Sequence, residues 1–200
     1  MKIKAVFFDL GGVIARTEDP GPRTNLAKSL GLGYADLDRI VFENKSSKQA
    51  SLGFINEAQH WLNVASSLDK PESEVERLRT EFFAGDRVDT NLLNLIRGLR
   101  PARKVGVISN AWSGMRTWLV EHDIADIFDD MVISAEIGVA KPDPRIYHVA
   151  LQNLMVKPEE SVFIDDMLRN VEAARKIGMY AVQFIQPDQA VTELSEVLKD

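Results

Sequence analysis

From Asp89 onward the chain repeats one unit, a short apolar run followed by a helical stretch, with short connections between them. That alternation restricts the fold strongly. Parallel strands need crossovers, usually helical, so the pattern implies a parallel sheet with helices on its faces. The spacing predicts helices over 90–99, 113–121, 145–154, 168–177 and 190–198, and strands over 104–108, 131–134, 161–164 and 181–184. One more strand lies far upstream. The run Ala5-Val6-Phe7-Phe8 delivers Asp9 to the turn Leu10-Gly11-Gly12-Val13-Ile14. A carboxylate at the carboxyl end of a buried strand is where open α/β sheets carry their reacting groups, although Asp9 alone could simply end a strand.

Between these parts the character changes. Helical periodicity over 24–30, 35–42, 55–68 and 73–83, punctuated by Gly31, Gly33 and Gly53, replaces the buried runs. Gly31 and Gly33 lack a third glycine at dinucleotide-binding spacing and follow a helix, so they read as helix ends. The expected organisation is a doubly wound, Rossmann-like α/β core of residues 1–15 and 89–200 with an α-helical insertion at 16–88. At 200 residues and 45% hydrophobic content the chain can bury one substantial core. A formal charge of −6 carries no global footprint for nucleic acid or an anionic membrane, and an anionic substrate then needs a local device. The absence of cysteine excludes thiolate chemistry and disulfides. With no signal-like segment and no apolar run near ~20 residues, the expected location is cytoplasmic.

Three further strand ends carry chemistry. Ser109-Asn110 follows the strand at 104–108, where a hydroxyl and free backbone N–H groups either cap the next helix or bind an anion. Lys141 precedes Pro142-Asp143-Pro144, a stiff loop in which Asp143 and Pro144 read as N-cap and first helical residue. Asp165-Asp166 closes the strand at 161–164. With Asp9, these acids make the oxygen-rich donor set that Mg²⁺ takes. His60, His122 and His148 lack metal-ligand spacing and read as structural; Trp61 and Trp112 read as packing, although His60-Trp61 and Trp112, which closely follows Ser109-Asn110, could touch substrate; and Arg16, Lys45 and Lys48 read as solvated charges that could instead face the cleft beneath the insertion.

Taken together, the four strand ends resemble the four motifs of the haloacid dehalogenase-like (HAD) hydrolase superfamily, mostly phosphatases. Phe8-Asp9-Leu10-Gly11-Gly12-Val13 is similar to its first motif, Ser109-Asn110 to the second, Lys141 to the third, and Asp165-Asp166 with Asn170 to the fourth. The insertion resembles the family's helical cap. The opening also resembles the subgroup beginning Asp-Leu-Gly-Gly or Asp-Leu-Gly-Asn, which includes sugar-phosphate phosphatases such as a glucose-1-phosphate phosphatase. The resemblance implies a Mg²⁺-dependent phosphatase acting on a small phosphorylated metabolite, with Asp9 as nucleophile and an aspartyl-phosphate intermediate. It implies that Asp9, the Gly11 carbonyl and Asp166 hold the metal, with Asp165 acting through water. Ser109, the Asn110 backbone N–H and Lys141 are implied to bind the phosphoryl oxygens. Gly11 departs from the family, most of whose phosphatases place a proton-donating aspartate there. Two alternatives stay open. The run Lys141-Pro142-Asp143-Pro144-Arg145-Ile146-Tyr147 also resembles the metal-independent 2-haloacid dehalogenases, which lack the acidic pair, and a non-catalytic binding protein could retain the fold.

Overall fold

The computed structural model describes residues 2–100 and 102–199. β1 (Ala5–Phe8) and β2 (Ala15–Thr17) are followed by α1 (Gly21–Ser29), α2 (Tyr34–Phe42), α3 (Lys45–Ser51), α4 (Glu57–Ser67) and α5 (Val75–Phe83), then by β3 (Asp86–Val88). The remainder alternates. It runs α6 (Thr90–Leu99), β4 (Lys104–Ser109), α7 (Met115–Glu121), β5 (Asp130–Ile133), α8 (Ser134–Ile137), α9 (Pro144–Asn153), β6 (Ser161–Asp165), α10 (Leu168–Lys176), β7 (Tyr180–Gln183) and α11 (Pro187–Val197).

Five strands form one sheet in the order β5-β4-β1-β6-β7, every pairing parallel. The expected α/β class is therefore observed. The sheet grows one way from β1 through β4 and β5 and the other way through β6 and β7, the kind of reversal that opens a crevice at the strands' carboxyl ends. Every side chain of β1 is buried, since both faces are covered. Val6 and Phe8 share one face with Val105, Val107, Val162 and Ile164 beneath α6 and α11, and Ala5 and Phe7 share the other with Ile108 and Phe163 beneath α9 and α10. Burying each such phenylalanine stabilises the core by about 1.5–3 kcal/mol.

The helical insertion has an apolar cluster of its own, built on Leu26, Leu37, Val41, Trp61, Val64, Leu78 and Phe82. It joins the core through β2 and β3, which pair antiparallel as a two-stranded ribbon. Arg16 in that ribbon is not the solvated charge expected. Its guanidinium donates to the Val13 carbonyl at 2.5 Å and to Glu18 and Asp89 at 2.8 Å each, and lies over the Phe184 ring. The insertion also rests on the core beyond β4 and β5. Glu57 N donates to Ser113 Oγ, and Gly53, at φ +72°, sits so close to the Ala135 carbonyl that a Cβ there would lie 2.2 Å from it. Four short elements were not expected from sequence: α3, α8 and the two ribbon strands. α3 carries little apolar periodicity, the ribbon strands are three residues each and half-buried, and α8 is a single turn, so none has a hydrophobic pattern to read. No helix among the described residues is long and apolar enough to cross a membrane.

His60 is fully buried in the insertion, with Nδ1 2.8 Å from Ser46 Oγ. Burial disfavours the imidazolium and pushes the ring down to about 4. The unfolded chain therefore takes up a proton near the ordinary histidine value that the folded chain refuses, so stability is full above that value and is lost as pH falls towards 4. Lowering the pH from 7 to 5 is expected to cost about 2 kcal/mol through this group alone. Urea melts at the two pH values, repeated on His60→Gln, check it: the acid sensitivity shrinks in the variant.

Candidate active site

Parallel register sets the site. Phe8 pairs with Val107 on one side and Ile164 on the other, so the next residue, Asp9, comes level with Ile108 and Asp165 at the carboxyl end of the sheet. Lys141 arrives from the loop between α8 and α9. Two hydrogen bonds hold that loop against the end of β4: Asn110 Nδ2 donates to the Lys141 carbonyl at 2.9 Å, and Lys141 N donates to Asn110 Oδ1 at 2.7 Å. The Lys141 side chain is wholly buried, and its Nζ lies 2.8 Å from Asp9 Oδ2, 2.6 Å from Asp165 Oδ2 and 2.8 Å from the Ile108 carbonyl. The contacts to Asp165 and to the Ile108 carbonyl are hydrogen bonds, and the contact to Asp9 is an ion pair.

Asp165 is equally occupied. Besides Lys141 it accepts from Met167 N at 2.8 Å and from Asn170 Nδ2 at 3.0 and 3.1 Å, and it has no exposed surface. Asn170 is fixed in turn by Tyr147, whose buried hydroxyl donates to the Asn170 carbonyl at 2.9 Å. Tyr147 was not singled out from sequence, because a lone tyrosine on the apolar face of a helix reads as core. The other acid of the pair, Asp166, turns toward the Gly11-Gly12 corner. Gly12 adopts φ +81°, and a Cβ there would lie 2.5 Å from Asp166 Oδ2, so only glycine leaves room for that carboxylate.

The sequence-predicted residues Asp9, Lys141, Asp165 and Asp166 thus stand together, and Ser109 lies buried at the end of β4 beside them. The Asn110 side chain is committed to the Lys141 loop. Gly11 is exposed, with nothing within 4 Å of where a Cβ would stand. Carboxylate oxygens of Asp9, Asp165 and Asp166 lie within 4.8 Å of one another. Burial pushes Asp9 up to about 7, with Lys141 opposing the rise and Asp165 and Asp166 adding to it. Asp166 is raised as well, by burial first and Asp165 second. Three carboxyls face one ammonium, so with all three ionised two negative charges stand without a partner. Hard oxygen donors at this separation fit a divalent cation such as Mg²⁺, whose charge balances that excess. Asp9, whose Oδ1 accepts from Leu10 N at 2.7 Å and whose Oδ2 faces Lys141, would share its remaining lone pairs with the ion, and Asp166 turns its carboxylate to the same corner.

Comparison with known proteins places this geometry. A family model described as haloacid dehalogenase-like hydrolase matches residues 3–178. Mouse bifunctional epoxide hydrolase 2 is 36% identical over 220 residues, an alignment covering 98% of this chain and 39% of that protein. The chain therefore spans well under half the length of that relative. D-ribitol-5-phosphate phosphatase from Bacteroides thetaiotaomicron is 26% identical, with 90% of this chain and 91% of the relative aligned. Among solved structures, a HAD family enzyme from the same bacterium, in complex with magnesium and inorganic phosphate, superposes with a TM-score of 0.74 at 22% identity, covering 90% of this chain and 93% of the other. That likeness establishes the shared fold. By the span of the family match, the chain belongs to the haloacid dehalogenase-like hydrolase family.

Proposed function

We propose that the chain is a cytoplasmic, Mg²⁺-dependent phosphomonoester hydrolase that acts on a small phosphorylated metabolite, a sugar phosphate, through an aspartyl-phosphate intermediate. The observation that carries this reading is the placement of Asp9, Asp165 and Asp166 around the buried Lys141 ammonium at the switch point of the sheet. The phosphatase relative and the magnesium- and phosphate-bound fold neighbour support it.

In this reading a carboxylate oxygen of Asp9 bonds to phosphorus, the ester P–O bond breaks, and the leaving oxygen departs with the bonding pair. Water then attacks the acyl phosphate and frees Asp9. Asp9, Asp166 and the Gly11 carbonyl would hold Mg²⁺, whose charge would offset the repulsion between carboxylate and phosphate dianion. Lys141 steadies Asp9 as an ion and keeps it aimed. With two of its protons committed to Asp165 and the Ile108 carbonyl, Lys141 reaches a phosphoryl oxygen through the third, on the side of Asp9. Ser109 Oγ and the Asn110 backbone N–H take the other phosphoryl oxygens. Asp165 is read as the fixed counter-charge of Lys141, touching the metal shell at most through water.

Gly11 offers no proton to the leaving group, and general acid help is typically worth about 10²–10⁴-fold. The substrate is therefore one whose leaving oxygen departs readily, such as an anomeric phosphate. Steady-state phosphate release from hexose 1- and 6-phosphates, with Mg²⁺ and with EDTA, tests the reading. Metal-dependent release, faster from the 1-phosphate, is expected. Faster hydrolysis of the 6-phosphate would count against the leaving-group argument, and metal-independent halide release from 2-chloropropionate would replace the phosphatase with a dehalogenase.

A further inference from the structure

We propose that Phe42 and Trp112 form a wall on which the departing half of the substrate packs, so that the enzyme prefers phosphate esters of a ring with an apolar face, pyranose or aryl, over acyclic ones. The inference rests on the phosphomonoesterase reading and gives its site a substrate class.

Trp112 follows Ser109 by three residues, a reach of at most about 10 Å. Its backbone is pinned at the catalytic end of the sheet. Asn110 is bonded twice to Lys141, and Ser134 Oγ both accepts from Ala111 N at 3.1 Å and donates to the Ala111 carbonyl at 3.3 Å. Phe42, at the end of α2, comes from the opposite side, the helical insertion. Its ring stacks on Trp112 with centroids 5.9 Å apart and planes 28° from parallel.

Behind this pair the seam is closed. His60 lies 4.3 Å from the Trp112 ring, Trp61 meets Trp112 edge-on, and Phe82 and Phe83 meet Phe42 edge-on. The pair is not sealed: despite these contacts Phe42 remains 42% exposed. An exposed apolar ring stacked on Trp112, which itself lies three residues past Ser109, offers a face to a ligand. Its chemistry suits the C–H face of a pyranose or the face of an aryl ring, both of which pack on an aromatic surface. An acyclic polyol has no such face. The same ring classes supply the more acidic leaving oxygens, anomeric or phenolic, that a site without a proton donor at Gly11 requires.

The test compares selectivity. kcat/KM is measured for a hexopyranose 1-phosphate and for 4-nitrophenyl phosphate, each divided by the value for acetyl phosphate, which has a good leaving group and no ring. Phe42→Ala is expected to lower both ratios about tenfold, mainly through KM, and Phe42→Trp to restore them. A fall confined to one ratio identifies the pyranose or the aryl ring as the class taken. Ratios equal to wild type in Phe42→Ala overturn the wall. If the wild type releases phosphate from none of the three, or if release survives Asp9→Asn, the phosphatase reading itself fails and the wall falls with its premise.

Discussion

Asp9→Asn is expected to reduce metal-dependent phosphate release by about 10⁴-fold or more, the scale on which loss of a nucleophile acts in enzymes that work through a covalent intermediate. The substitution keeps the shape of the side chain and removes the attacking oxygen's charge. Its effect on the fold runs the other way. Asp9 is nearly buried and shares its surroundings with Asp165 and Asp166, and burial is the main reason that its carboxyl titrates at about 7. An amide there escapes both the desolvation and the repulsion, and Lys141 keeps Asp165 as its counter-ion. The metal-free variant is therefore expected to melt no lower than wild type. Loss of turnover with a retained melting temperature assigns Asp9 to chemistry, and turnover within tenfold of wild type overturns the proposed mechanism. Intact-mass detection of a phosphorylated chain in wild type, absent in the variant, tests the covalent step directly.

Lys141→Met is expected to have the largest effect on stability. The lysine is the buried cation between Asp9 and Asp165, and removing one partner of a buried ionic cluster typically costs about 3–5 kcal/mol. For a chain of this length that corresponds to a melting temperature lower by roughly 10 °C. The variant's pH profile has a defined sign. Without the ammonium, which opposes the rise of Asp9, that carboxyl prefers still more to be protonated in the folded state, so the variant loses stability as pH rises from the acid range through neutrality. Adding Asp165→Asn recovers part of the loss, because one of the two stranded charges is then gone. Urea melts of the two singles and the double form a cycle, and strict additivity would show that Lys141 and Asp165 do not act as a unit.

The parts of the fold that were legible in the sequence are those in which burial imposes a period. Ala5-Val6-Phe7-Phe8 is apolar at every position because both faces of β1 are covered, and the strands at 104–108 and 161–164 read the same way. Asp143 followed by Pro144 announced the start of α9, and Asp143 does accept from Arg145 N. α3 was not legible, since Lys45-Ser46-Ser47-Lys48-Gln49-Ala50-Ser51 has no apolar stripe, and its one clue was the capping Asn44. At the site, the identities of the charged residues stood out as strand ends. Their wiring did not. That Lys141 is bonded to Asp165 and to the Ile108 carbonyl, that Asn110 holds the Lys141 loop, and that Tyr147 braces Asn170 are consequences of distances between loops remote in sequence. Arg16 failed as a surface charge for the same reason, because Asp89 and Phe184 reach it only after folding.

The position of β1 also shapes how the molecule comes to be made. It is the middle strand, yet both of its neighbours, β4 and β6, follow the whole helical insertion in the chain, with Ala5 pairing to Lys104 and to Ser161. During synthesis β1 leaves the ribosome before either neighbour and stays unpaired while α1 to α5, held together by local contacts, can already assemble. The catalytic end of the sheet exists only once β6 has been translated and has docked. Such long-range pairing is slow to form, and it leaves an all-apolar segment, Ala5-Val6-Phe7-Phe8, exposed in the meantime. Nascent chains stalled before Ser161 should for that reason hold a folded helical layer and lean on chaperones to keep this strand from other partners.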